Sequence, residues 1–116
     1  MSESSMETDL ADWGKVIRLT TVGRRSGLQR TVSIGFLAET DGSLLVAAAS
    51  DTTGWATNLR PEPGCSVELD GHRQRWHAEL LVEPERSAAI TALILKYGTP
   101  AERLGGGPAY RLLPGS

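Results

Sequence analysis

The chain has 116 residues, 40% of them hydrophobic, one cysteine and a formal net charge of −2. That length suits one domain with one core, able to bury most of its apolar surface without disulfides or metals. The acidic balance argues against a dedicated nucleic-acid binder, whose surface is basic, and a single cysteine excludes an internal disulfide.

Residues 1–13 are acidic and serine-rich and read as an N-terminal tail, with a short helical end at Leu10 to Trp13. They lack the cationic start and apolar stretch of a signal peptide, and no run approaches the ~20 apolar residues of a membrane span. The expectation is a cytoplasmic protein with no integral membrane segment, its domain occupying residues 14–116. Lys15 to Thr21 reads as a strand. The segment that follows, Thr20-Thr21-Val22-Gly23-Arg24-Arg25-Ser26-Gly27-Leu28-Gln29-Arg30-Thr31, sets three arginines, two glycines and several hydroxyls between apolar stretches. Glycines let backbone N–H groups approach a ligand closely, and guanidinium groups are planar, permanently charged donors, so the loop has the chemistry a phosphate needs. Gln29 to Glu39 reads as one strand with Val32, Ile34 and Phe36 in period two. Arg30 has the same parity, which points it toward the core side or into a cleft.

Asp41-Gly42 signals a hairpin turn. Leu44 to Ser50, with its run of Val46 and alanines, reads as a strand buried on both faces. Asp51-Thr52-Thr53-Gly54 supplies loop and helix-capping residues, and Trp55 to Leu59 a short helix stopped by Arg60-Pro61. Ser66 to Asp70 and Arg73 to Val82 form a second hairpin about Asp70-Gly71. Pro84 to Tyr97 is a helix whose apolar face is read as Ala88, Leu93 and Leu95 with Ile90 and Ile94 beside it, and Gly98 is its stop. Gly105-Gly106-Gly107-Pro108 reads as a flexible loop, and Tyr110 to Leu113 as the last strand. Successive hairpins, without strand–helix–strand alternation, predict a mainly β protein: an antiparallel six-stranded barrel covered by two helices. Cys65 reads as an ordinary buried thiol, since no basic partner lies near it in sequence. His72 and His77 fall on opposite strand faces, so no metal site is expected.

The run from Ile17 to Val32, containing Gly23-Arg24-Arg25-Ser26-Gly27 and Arg30, resembles the signature of the deazaflavin-dependent nitroreductases, small split-β-barrel oxidoreductases. Gly54-Trp55-Ala56-Thr57-Asn58-Leu59-Arg60-Pro61-Glu62-Pro63 resembles the same family's Trp-x-x-Asn-Leu-x-x-x-Pro segment. Val67-Glu68-Leu69-Asp70-Gly71 fits the strand and turn after it. The likeness covers roughly Val16 to Leu113. It implies reduced coenzyme F-420 as cofactor, its phosphate facing Arg24, Arg25 and Arg30, with Ser26 and Gly27 adding backbone donors and Thr31 at the end of the motif. Ser50 falls where the family places a small polar residue beside the ring system. Trp55 would wall the pocket, and Asn58 would tie the helix to the barrel. The resemblance implies hydride transfer to an electron-poor small molecule such as a quinone, nitro compound or activated alkene, with a proton from Tyr110, Tyr97, Ser50 or water. The segment after Ser50 departs from the family in being shorter and acidic. Two other readings stay open: an FMN-dependent reductase on the same barrel, and a protein that binds or carries the cofactor without turnover. The likeness fits a monomer or a homodimer, with no nucleic-acid partner.

Overall fold

A computed structural model of the chain describes residues 16–98, 104 and 106–115. The predicted tail, including its helical end at Leu10 to Trp13, lies outside the described residues. Among the described residues seven strands and two helices follow one another: β1 (Val16–Val22), β2 (Gln29–Gly35), β3 (Leu37–Ala38), β4 (Leu44–Ala47), α1 (Gly54–Leu59), β5 (Gly64–Leu69), β6 (His72–Leu80), α2 (Glu85–Tyr97) and β7 (Ala109–Pro114). All strand pairs are antiparallel, in the order β2-β1-β5-β6-β7-β4-β3. The two outermost strands, β2 and β3, are separated in the chain by Phe36 alone. The sheet therefore curls round until its edges meet in a single stretch of backbone.

That junction corrects the expected six strands to seven. Gln29 to Glu39 is not one strand, because its two halves pair with different neighbours: Gln29–Gly35 with β1, and Leu37–Ala38 with β4. The break at Phe36 is satisfied from α2. The Tyr97 hydroxyl accepts the Phe36 N–H at 2.9 Å and donates to its carbonyl at 3.0 Å. The Lys96 ammonium donates to the same carbonyl at 2.6 Å and stands 4.1 Å from the centre of the Phe36 ring. Backbone groups inside a fold need partners, and side chains supply them where the ladder stops. A side chain at Gly35 would meet the Tyr97 ring at 2.9 Å, so the bend also depends on that glycine.

Two apolar clusters hold the sheet. Inside the curl, Ile17, Leu19, Val46, Val67, Trp76, Ala78, Tyr110 and Leu112 pack with Trp55, Ala56 and Leu59 of α1. Outside it, Leu45, Ala47 and Ala109 pack against Ala89, Ile90 and Leu93 of α2. Strand β4 thus contributes alternate residues to both clusters, as its continuous apolar sequence predicts. The buried stripe of α2 is Ala89, Ile90 and Leu93, and not the expected Ala88 and Leu95; Leu95 is 82% exposed. Residues 90 and 93 lie one turn apart, whereas 95 falls on the opposite side of the helix. Asp70 and Gly71 both take positive φ, 55° and 80°, the conformation a tight hairpin turn requires. The glycine segment before β7 is not an open loop where it is described. Gly107 is buried, and a Cβ there would collide with the Ala48 carbonyl oxygen.

Cys65 is buried within the inner cluster, and burial pushes its thiol up to about 11. The thiolate is the reactive form. Iodoacetamide at pH 8 is therefore expected to leave Cys65 unmodified in the folded protein and to label it fully in urea, as read by intact mass. Labelling at equal rates in both would contradict this placement.

Candidate functional site

The Gly23–Leu28 turn is closed on itself. The Gly23 N–H donates to the Leu28 carbonyl at 2.8 Å, and the Gly27 N–H donates to the Gly23 carbonyl at 2.9 Å. The Ser26 hydroxyl oxygen accepts the Leu28 N–H at 3.1 Å. Gly27 sits at φ +73°, and a Cβ on Gly23 would come within 2.7 Å of the Ser26 hydroxyl, so both glycines are required by the geometry. The expected Gly27 backbone donor is already occupied inside the turn. The N–H groups of Arg25 and Ser26 make no backbone hydrogen bond among the described residues.

Helix α1 crosses behind this turn and presents Asn58 to it. Asn58 is 1% exposed, so its amide must find partners inside the protein. Its oxygen accepts the Arg24 backbone N–H at 3.2 Å and Arg24 Nη1 at 3.0 Å. Its nitrogen donates to the Thr21 hydroxyl at 3.1 Å. One amide therefore joins β1, α1 and the arginine turn. The start of α1 is not capped as expected, since Thr53 makes no side-chain cap. The Thr57 hydroxyl instead donates to the Gly54 carbonyl at 2.9 Å.

A cleft of about 150 Å³ results, lined by Gly23, Arg24, Arg25, Ser26, Arg30, Gly54 and Asn58. Among the described residues no carboxylate lines it. Arg30 pairs in register with Thr21 on the strand next to it. Strand parity puts it on the side of Val32 and Ile34, which pack against the inner cluster. It is nonetheless exposed, because β2 is here the rim of the sheet. The cost of burying an unpaired guanidinium therefore plays no part in its position.

The other sequence-predicted residues lie apart from this cleft. Thr31 is on the opposite face of β2, where its hydroxyl meets that of Thr20 at 2.8 Å. Ser50 lies in the turn after β4; its hydroxyl is 3.0 Å from the Thr52 hydroxyl and accepts the Thr52 N–H at 3.3 Å. Trp55 is 7% exposed and belongs to the inner cluster, with its ring centre 6.3 Å from that of Tyr110. Tyr110 is 2% exposed and donates its hydroxyl to the Ala56 carbonyl at 2.8 Å. Burial raises its pKa above the usual phenol value. The Tyr110 hydroxyl, expected as a proton donor, is engaged with the Ala56 carbonyl of α1 and lies apart from the arginine cleft. Tyr110→Phe is accordingly expected to lower unfolding free energy by about 1–2 kcal/mol in a urea titration, through one hydrogen bond lost at the Ala56 carbonyl. An unchanged urea midpoint would contradict this placement. Tyr97 is committed at the Phe36 junction, and neither tyrosine lines the cleft of Arg24, Arg25 and Arg30.

Sequence reasoning missed Thr21 and Gly54. Nothing local marks Thr21, which reads as one more β-forming residue; its partner lies 37 positions away. A second cleft, of about 280 Å³, is lined by Asp51, Arg60, Leu80, Leu81, Arg86, Gly106, Gly107 and Pro108 and shares no residue with the first. Arg86 is turned onto its wall, donating to the Gly107 carbonyl at 2.7 and 3.2 Å. Among the described residues no cluster of histidine, cysteine or carboxylates suits a metal ion, and no helix is long and apolar enough to cross a membrane.

Comparison with known proteins agrees with this architecture. A solved F420-H2-dependent reductase superposes with a TM-score of 0.68 at 22% identity, over 84% of this chain and 92% of its own. The heme storage protein HutZ of Vibrio cholerae superposes with a TM-score of 0.70 at 18% identity, over 97% of this chain and 89% of its own. A third solved structure, a domain-swapped dimer, gives 0.67 at 19% identity, over 96% of both chains. At these identities the likeness is one of fold. No curated protein matches the chain. Residues 3–101 match the model of the F420-H2-dependent quinone reductases, so the chain belongs to that family, whose cofactor is reduced coenzyme F-420.

Proposed function

We propose that the protein is a reductase that passes a hydride from reduced coenzyme F-420 to an electron-poor small molecule, a quinone, nitro compound or activated alkene, and that the cleft of Arg24, Arg25 and Arg30 holds the cofactor's phosphate. The observation that carries the reading is the convergence of three guanidinium-bearing residues on one cleft, with no carboxylate among the described residues that line it, in a chain of net charge −2. Local positive charge on an acidic protein focuses anions at that point. The available N–H groups of Arg25 and Ser26 add the backbone donors of an anion nest.

The size of the cleft supports its assignment to the phosphate end of the cofactor. Sites that enclose a drug-sized molecule run to ~300–1,000 Å³. A volume of about 150 Å³ suits a phosphate and its first neighbours, with the flat ring lying outside. When bound, the deazaflavin supplies the hydride chemistry itself. The chain's contribution is to bind and to orient. Arg24 is held by Asn58, and its remaining N–H donors can meet phosphate oxygens in pairs. Arg30 closes the cleft from β2, and the turn from Gly23 fixes the spacing between Arg24 and Arg25. Fixing the phosphate fixes one end of the cofactor, and orientation of that kind is a recognised source of rate.

A cofactor-binding protein without turnover is the second reading, favoured by one observation: the Tyr110 and Ser50 hydroxyls are both engaged within the protein. One assay separates the two. Reduced F-420 is incubated with the protein and a panel of quinones and nitro compounds, and the return of oxidised-cofactor absorbance is followed. Protein-dependent oxidation of the cofactor is expected. Tight binding with no oxidation across the panel would favour the carrier.

A further inference from the structure

We infer that Thr21 is a positioning residue for the arginine cleft: through Asn58 it holds the Arg24 guanidinium ready for an anion. The inference rests on the reading of that cleft as a phosphate site. It goes beyond it in assigning a role to a buried residue that cannot reach a ligand itself.

Thr21 is 0% exposed and faces inward on β1, on the side of Ile17 and Leu19. Its hydroxyl oxygen accepts the Asn58 side-chain N–H at 3.1 Å. The orientation of the Asn58 amide follows from chemistry alone. Arg24 offers only donors to it, a backbone N–H at 3.2 Å and Nη1 at 3.0 Å. The amide oxygen must therefore face Arg24, and the amide nitrogen is left to face Thr21, which needs an acceptor there. A flipped amide would set donor against donor at two contacts. Thr21 thus supplies, from within the core, the acceptor that this orientation of Asn58 needs.

Arg24 itself is exposed. A free arginine on a surface turn samples many rotamers and must lose that freedom when it grips a ligand. One bond to a buried, oriented amide oxygen removes part of the cost beforehand and leaves most of the guanidinium's five N–H donors for the anion. Valine has nearly the shape of threonine and forms strands equally well, but gives Asn58 no acceptor. The Asn58 amide would then turn toward another partner, and Arg24 would lose its restraint.

The test uses the full chain and two probes in fluorescence titrations: coenzyme F-420, and the phosphate-free deazaflavin nucleoside that carries the same ring. In Thr21→Val, F-420 affinity is expected to fall about three- to tenfold, the immobilisation cost of one long side chain, while affinity for the phosphate-free probe stays within twofold. Thr21→Ser, which keeps the hydroxyl, is expected to restore F-420 affinity. Thr21→Val in an Arg24→Ala background is expected to add no further loss. Thr21→Ala carries the same expectations where the valine variant folds poorly. Equal weakening of both probes, no recovery in Thr21→Ser, or full additivity with Arg24→Ala would overturn the inference and leave the phosphate reading standing. A wild-type protein that binds both probes equally well would overturn that reading and the inference together.

Discussion

Arg30→Ala is expected to raise the dissociation constant for coenzyme F-420 by about tenfold or more and to leave the fold unchanged. The first half rests on what happens to the guanidinium when a ligand covers it. In the free protein Arg30 is exposed on the rim strand, and an ion pair in such a place is worth at most about 1 kcal/mol. A bound phosphate excludes water from a cleft that Arg24 and Arg25 also line, and a hydrogen bond to a charged partner there contributes ~1.5–3 kcal/mol. Every 1.4 kcal/mol corresponds to about tenfold in affinity. The second half follows from position, since exposed substitutions away from special features change stability by less than about 0.5 kcal/mol. Fluorescence titration at two salt concentrations checks both the effect and its cause. The difference between wild type and variant should narrow as salt rises, because the cleft is open enough to be screened. Unchanged affinity at low salt would remove Arg30 from the site.

Trp55→Ala is expected to destabilise the protein by ~3–5 kcal/mol, the usual cost of deleting a large buried aromatic side chain. A domain of this kind has only ~5–15 kcal/mol in total, so the loss should appear as a large fall in the urea midpoint followed by circular dichroism. The indole is packed among Ile17, Val46, Leu112 and Tyr110 and anchors α1 to the inside of the curl. It does not line the arginine cleft. Trp55→Phe, which keeps most of the volume, is expected to hold F-420 affinity within about twofold while losing part of the stability. Loss of affinity without loss of stability would make Trp55 a wall of the cofactor site and contradict its placement here.

Much of the architecture was legible because local chemistry and tertiary structure agree. Asp70-Gly71 needs two positive φ angles and has the residues for them, so the β5–β6 hairpin is written in the chain. The apolar run from Leu44 to Ala47 reads as a doubly buried strand because it touches both clusters. The arginine turn was legible for the same reason: Gly27 takes the positive φ and Gly23 the close approach that the turn requires. What escaped depends on contacts distant in sequence. The break at Phe36 is closed by Tyr97, 61 residues away, and its one local mark is Gly35, a lone glycine inside the strand pattern. Tyr110 has the chemistry of a proton donor, but its hydroxyl is drawn to the Ala56 carbonyl, 54 residues back. Parity placed Arg30 on the correct side of its strand, yet could not show that the strand is a rim, which depends on the order of the whole sheet. Thr21 is the extreme case, an inward threonine whose meaning lies wholly in Asn58.

The arginine cleft is the centre of the account, and amide NMR of the labelled protein tests it most directly. Coenzyme F-420 is titrated into the full chain, and chemical-shift changes are mapped by residue. The account predicts the largest changes at Gly23, Arg24, Arg25, Ser26 and Arg30, with Gly54 and Asn58 next, and their absence when the phosphate-free deazaflavin is used. Changes that leave the Gly23–Ser26 turn untouched and gather instead at Asp51, Leu80, Leu81 and Gly107 would contradict it.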